Sequence, residues 1–284
     1  MKFVKLDKPD RKVSLKDIPA DPPEGVTKEI AEERVRVVGD ELFQLQDSLW
    51  GARTHGLLVV LQGRDAAGKD GTIKHVMGSF NPRGVVVTSF GVPTPEESEH
   101  DFLWRVHHHV PRHGEVAIFN RSHYEDVLVT RVHRLVHKKV WKARYDQINA
   151  FEQMLATEGT IILKFFLHIT KKEQTSRLLE REKDPAAAWK LNPDDWRDHD
   201  LWDDFTDAYE DVLSRCSTPE APWIVVPSNA KWYRNMVVAE AILKAMKPHR
   251  EIWKEKLAKK GQQGRKAIEA YHRKAERARR RKKS

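Results

Sequence analysis

LLVVLQGRDAAGKDGT, residues 57–72, organises the whole chain. Its first five residues, Leu57 to Leu61, form an apolar, branched run of the length expected for a buried parallel strand. Gly63 to Lys69 then read G-x-x-x-x-G-K, the frame of a phosphate-cradling loop. In such a loop small residues let backbone N–H groups turn inward, a helix begins, and the lysine reaches the outer phosphates. Asp70 stands where a magnesium-binding Ser or Thr is usual, with Thr72 two residues on. The expected phosphate cradle is Gly63, Ala66, Ala67, Gly68, Lys69, Asp70, Gly71 and Thr72.

Around this stretch, strand and helix patterns alternate. Apolar runs at 85–90, 116–119, 160–169 and 223–226 read as four further strands. Ile30, Val37, Leu42, Leu45 and Leu49 recur at helical spacing ahead of the loop. Thr94, Ser122 and Thr170 each precede a glutamate by three residues, the signature of a capping box, so a helix is expected at each. The first of these helices should run on through Trp104 and His107–His109 to Pro111. The alternation predicts an α/β fold: a three-layer α/β/α sandwich on a five-stranded parallel sheet, with ligands at the carboxyl ends of the strands. Residues 186–200 are charged, rich in tryptophan and expected to be irregular.

Composition narrows the function classes. The 284 residues are 39% apolar and 33% charged, and no apolar run approaches the ~18 residues of a membrane span. Met1–Asp7 holds no long apolar segment, so no signal peptide is expected. The single cysteine, Cys216, cannot form an internal disulfide, and a reducing cytoplasm is the expected location. The net charge of +9 is uneven: residues 250–284 hold 15 Lys/Arg against 4 Asp/Glu, leaving 36 against 38 in the rest. Three regions follow: a proline-rich arm over 1–26, a body over 27–249, and a basic tail over 250–284 that reads as a helix fraying into a disordered arm. The tail could hold a polyanion or nucleic acid nonspecifically, or only solubilise the chain.

Several side chains are placed for chemistry. Lys69 is a cation at a helix start, an unfavourable position unless an anion is bound there. Asp65 within the loop would repel phosphate unless a divalent cation lay between them, which suits Mg²⁺. Asn120-Arg121 ends the third strand, where many loops of this kind pair with a metal-binding aspartate. Arg121 offers a bidentate phosphate ligand. Glu125 is either the capping partner of Ser122 or a site residue. Asp126 is either the replacement metal ligand or a solvated acid. Arg177, Arg181 and Lys183, with Lys190 beyond them, fit a lid over 171–200 that closes cations on a transferred phosphate. The balancing acids Glu180, Glu182 and Asp184 fit an ordinary charged face equally well. His107–His109 point in different directions on a helix and are not expected to share a metal ion. Trp189, Trp196 and Trp202 read as packing residues.

Four segments in order, GRDAAGKDGTIKHV, NPRGV, FNRSHYEDVLVTRV and LEREKDPAAAWKLNPDDW, resemble the polyphosphate kinase 2 family over about residues 30–250. That resemblance implies a P-loop kinase fold with a helical lid. It implies transfer of phosphate from inorganic polyphosphate to a nucleotide with Mg²⁺, Mn²⁺ being the alternative ion. Asp65 then matches the metal-binding aspartate and Lys69 the phosphate lysine. Arg121 and Arg181 match the arginines that clamp the transferring phosphates, with Lys183 beside them. Arg83 and Arg105 match basic positions near the nucleotide or polymer channel. Asn120, Glu125 and Asp126 are expected on the nucleotide side, and Asp126 as the second metal ligand. Many members read F-D-R-S-W-Y-N-R at the third segment, so Asn120 replaces an aspartate. The N-R-S-H-Y-E-D form is similar to the subgroup that phosphorylates both AMP and ADP, giving ADP and ATP. A homodimer or homotetramer without membrane contact is expected. The rival readings are an ATP-dependent nucleotide or small-molecule kinase and a noncatalytic nucleic-acid binder acting through the tail.

Overall fold

A computed structural model describes residues 4–6 and 12–281; the rest of the arm and the last three tail residues lie outside it. Six strands, β1 (Val4–Leu6), β2 (Gly56–Gln62), β3 (Val85–Ser89), β4 (Val116–Asn120), β5 (Thr160–His168) and β6 (Trp223–Pro227), form one sheet. Their order is β1-β6-β5-β2-β4-β3. β2 to β6 run parallel, as expected. The sheet is nevertheless mixed, because the arm adds β1 antiparallel to β6, with Leu6 opposite Trp223. Three residues are too few for a periodicity to be read from sequence.

β2 lies at the centre, and all seven of its residues are buried. Strand geometry sends alternate side chains to opposite faces. Leu57, Val59 and Leu61 join one core, with α1 (Lys28–Ala52), α2 (Lys69–Val76) and residues of the 231–246 helix. Leu58 and Val60 join the other, with α3 (Lys138–Thr157) and residues of the 202–215 helix. Each of these buried side chains contributes about 2 kcal/mol relative to exposure. The other helices of eight or more residues are α4 (Lys171–Lys183), α5 (Pro193–Asp200), α6 (Trp202–Arg215), α7 (Lys231–Met246) and α8 (Arg250–Arg281).

Several expected details change. Ala31, Val38, Leu42, Leu45 and Leu49 form the buried stripe of α1, whereas Ile30 and Val37 are exposed. Those two stand one residue, about 100°, off the stripe. The helix expected from Thr94 to Pro111 is two short helices, Pro95–Ser98 and Trp104–His107. The Thr94 box is complete: its hydroxyl accepts from Glu97 N–H and Glu97 accepts from Thr94 N–H. Ser122 instead caps Tyr124 and opens a 3₁₀ turn. The 186–200 stretch is not irregular, because Asn192 caps Asp194 and Pro193 opens α5. The tail is helical through Arg281, docked where Trp253 is fully buried.

Candidate active site

The loop after β2 takes its shape from three left-handed backbone positions, Gly63 (φ 154), Ala66 (φ 61) and Gly68 (φ 104). Register places Leu61 opposite Asn120, so the loop and the end of β4 emerge side by side at the carboxyl edge of the sheet. Both border a cleft of about 1100 Å³. Asp65, Ala66, Gly68, Lys69, Asp70 and Gly71 line it from the loop, Asn120 and Arg121 from the end of β4, and Arg177, Arg181, Lys190 and Asp195 from residues 171–200. Lys28 of α1 and Lys231 and Arg234 of α7 line its remaining wall.

Lys69 folds back over the loop, donating to the carbonyls of Gly63 (2.7 Å) and Arg64 (3.2 Å), with Asp65 4.0 Å away. Burial pushes its ammonium below the ordinary lysine value, and Asp65 opposes that. Arg121 takes a left-handed φ of 62 and reaches Asp65 at 2.6 Å and Glu125 at 3.6 Å. Burial would lower its affinity for the proton, but the two carboxylates hold it above the ordinary value. Glu125 therefore pairs with Arg121 and does not complete a capping box; burial raises its carboxyl. Arg181 is held by Asp195 at 2.5 Å.

Asp70 bridges the loop, the end of β4 and Lys190. It accepts from Asn120 Nδ2 (3.0 Å) and from Lys190 Nζ (2.8 Å), and the Lys190 bond holds its carboxyl below the usual value. The Asn120 Oδ1 atom is buried without a hydrogen-bond partner. Asp65, Asp70 and that orphaned oxygen form an all-oxygen donor set of the kind Mg²⁺ takes together with phosphate oxygens. No cluster of three or more His, Cys, Asp or Glu suited to a metal occurs among the described residues. The fit is thus to an ion completed by substrate rather than to a closed protein cage.

Eight expected site residues lie outside the cleft lining: Gly63, Ala67, Thr72, Arg83, Arg105, Glu125, Asp126 and Lys183. Asp126 is held among arginines: Arg144 donates to its Oδ1 at 3.0 Å, and Arg105 lies 3.8 Å from its Oδ2, which is buried without a hydrogen-bond partner. Arg105 is buried behind the cleft, donating to the Gly91 carbonyl at 2.9 Å. Arg83 and Lys183 are exposed and border no part of the cleft; Lys190 takes the place expected of Lys183. Thr72 turns its hydroxyl to the Gly68 carbonyl at 3.1 Å. Of the tryptophans, Trp202 carries the Arg64 guanidinium 3.6 Å above its ring, a packing role.

Two arginines carry more of the site than the sequence pattern indicated. Arg177 donates to the carbonyls of Ala66 (2.9 Å), Ala67 (3.1 Å), Ser228 (2.6 Å) and Asn229 (2.8 Å), tying the loop to the end of β6. Arg234 is 2% exposed with no carboxylate bonded to it, and burial lowers its guanidinium to about 10. It was legible by the argument used for Lys69: Lys231 and Arg234 are cations in the first turn of α7. Neither α2 nor α7 has a side-chain cap, so their free N–H groups face the same cleft as these cations.

A parallel sheet with a phosphate loop at its carboxyl edge, uncapped helix N-termini and a ring of arginines defines a P-loop phosphotransferase. The sequence model of polyphosphate kinase 2 matches residues 25–254, and the chain belongs to that family. An AMP/ADP-polyphosphate phosphotransferase of Meiothermus ruber is 52% identical over 77% of this chain and 82% of its own. An ADP-polyphosphate phosphotransferase of Rhodopseudomonas palustris is 40% identical over 78% of this chain and 80% of its own. The crystal structure of polyphosphate kinase 2 from Arthrobacter aurescens TC1 superposes with a TM-score of 0.82 at 38% identity, covering 87% of this chain and 91% of that one.

Proposed function

We propose that this chain moves the terminal phosphoryl group of inorganic polyphosphate onto AMP and ADP, with Mg²⁺ as the cation. Polyphosphate-driven phosphorylation of nucleotides is the activity of its family. The observation that carries the reading to this chain's own residues is the meeting of two uncapped helix N-termini with Lys69, Arg121, Arg181 and Arg234 in one cleft. That concentration of cations and free N–H groups suits a chain of phosphates.

In this mechanism Arg234, Lys231 and Lys28 hold the unreacting phosphates of the donor. An oxygen of the acceptor's terminal phosphate attacks the terminal phosphorus of the polymer. The bridging P–O bond breaks, and the polymer leaves one phosphate shorter. The acceptor oxygen is already ionised, so no general base is required. Lys69, Arg121 and Arg181 stabilise the charge spread over the transferring group. For the two arginines this means exchanging Asp65 and Asp195 for phosphate oxygens. Asp65, Asp70 and Asn120 Oδ1 would hold the Mg²⁺, whose chemistry is neutralisation of phosphate charge; Mn²⁺ suits the same oxygens. Lid closure by α4 and α5 excludes water.

The deciding experiment is ATP formation from ADP and polyphosphate with no ATP present, repeated with AMP, GMP and GDP. Activity that required ATP as the donor would overturn the proposal in favour of an ordinary P-loop nucleotide kinase. Assembly as a homodimer or homotetramer, and a cytoplasmic location, belong to the same proposal. No helix among the described residues is long and apolar enough to cross a membrane.

A further inference from the structure

The family match ends at residue 254, and α8 continues to Arg281. Its start is anchored: Trp253 is buried and donates to His55 Nδ1 at 3.2 Å, and Lys260 Nζ donates to the Gly51 carbonyl at 2.7 Å. From Gly261 to Arg280 every residue except Ala275 is exposed. This segment is not randomly basic. At about 100° per residue, Arg265, Lys266, Arg273, Lys274, Arg277 and Arg280 fall within one half of the helix, along about 22 Å of its length. All six are exposed, and none makes an ion pair among the described residues. Glu269 and Glu276 fall inside this half, between Arg265 and Arg280, and leave a net charge of four positive on it. Gly264, Ile268, Tyr271, Ala275 and Ala278 occupy the opposite side.

A continuous line of unpaired cations attracts a flexible polyanion, because binding releases the polymer's counterions. The basic face contains no aromatic ring, since Tyr271 points the other way. Proteins that hold single-stranded nucleic acid commonly add stacking of bases on such rings, whereas polyphosphate offers only charge, which is what this face supplies. The anchor lies at the C-terminal end of α1 and the start of β2, the sheet edge opposite the cleft.

We propose that the exposed basic face of α8 tethers inorganic polyphosphate far from its reacting end, giving the enzyme a preference for long polymers. The inference rests on polyphosphate being the substrate of the cleft. A tethered polymer presents its end at a raised local concentration, so long chains bind more tightly with no new contact in the cleft. A short chain cannot span both places and gains nothing.

The test compares the full chain with two variants: one ending after Lys260, which keeps the anchor, and one with the six cations changed to Gln. The Michaelis constant for long polyphosphate should rise about tenfold in both, while that for tripolyphosphate and both kcat values stay unchanged. Raising the salt concentration should abolish the difference between the full chain and the variants. Retention of labelled long polyphosphate on a filter is measured alongside, with ADP absent. An unchanged constant for long polymer overturns the tether, as does a parallel filter assay with labelled single-stranded RNA in which the variants lose RNA but keep long polyphosphate. If the full chain made no ATP from polyphosphate, the reading of the cleft would fall. Filter retention would then still decide the tether, which stands if the full chain retains the polymer and the variants do not, and falls otherwise.

Discussion

Arg234 stands directly behind Gly68: a Cβ at that glycine would lie 1.8 Å from Nη1 of the arginine. The phosphate loop and the first turn of α7 are therefore one interlocked unit. The close approach explains why a buried guanidinium with no carboxylate partner is fixed against the cleft.

Gly68→Ala should reduce kinase activity at least a hundredfold, because the loop or Arg234 must shift and misplacement of about 1 Å has that effect. Adding Arg234→Ala should not restore activity. It removes the clash but leaves a φ of 104 that a non-glycine residue adopts only under strain. Steady-state kinetics of the two variants, with circular dichroism to verify folding, check this.

Lys69→Met should abolish ATP formation from polyphosphate while leaving the fold intact. The ammonium is buried and bonded only to loop carbonyls and near Asp65, so the variant loses charge rather than core packing. Near-normal turnover would contradict the role given to Lys69.

Asp65→Asn and Asp126→Asn separate the two metal ligands expected from the sequence. The first should weaken activation by Mg²⁺ and cut activity by two orders of magnitude or more, as expected of a lost transition-state charge contact (~3 kcal/mol). The second should leave the Mg²⁺ dependence unchanged and instead cost about 3 kcal/mol of stability, because Arg105 and Arg144 lose a shared, nearly buried carboxylate. Magnesium titrations and urea unfolding distinguish these outcomes.

A buried cluster predicts how the fold responds to acid. Lys164 donates to Glu152, to Tyr124 Oη at 2.7 Å and to the Cys216 carbonyl at 2.6 Å, and His123 Nε2 lies 3.2 Å from Glu152. Burial alone would raise the Glu152 carboxyl, but Lys164 and His123 hold it below its ordinary value. The folded chain therefore binds this proton less readily than the unfolded chain. The stabilisation is full above the unfolded value of about 4.3 and fades as pH falls through the depressed folded value. Glu152→Gln should lower Tm at neutral pH and flatten its decline below pH ~4. A decline as steep as in the parent would show that the pair does not drive it.

Much of this arrangement was legible in the chain itself. Residues 57–72 carry strand, loop and helix start in one local signal. Asn120-Arg121 follow an apolar run that can only be a strand, so their place at the carboxyl edge follows from topology. What failed had a specific cause in each case. Ile30 and Val37 are apolar but one residue off the stripe that packs. Asp126 looked free because its partners, Arg105 and Arg144, lie 21 and 18 positions away and are brought to it only by packing. The ties of Arg177 to the loop and to the end of β6 were not legible, because four carbonyl partners leave no mark on composition.

The sequence by itself determined the alternating α/β order, the phosphate loop, the near-neutral body and the basic tail. These depend on neighbours in the chain, on side-chain period and on charge counts, all of which are local. The tertiary structure alone decided which cations reach the phosphate path. Arg234 comes to lie behind Gly68, and Asp70 between Asn120 and Lys190, across 166, 50 and 120 positions. Such pairings arise from the packing of helices on a sheet, where distances are set by the core and not by separation along the chain.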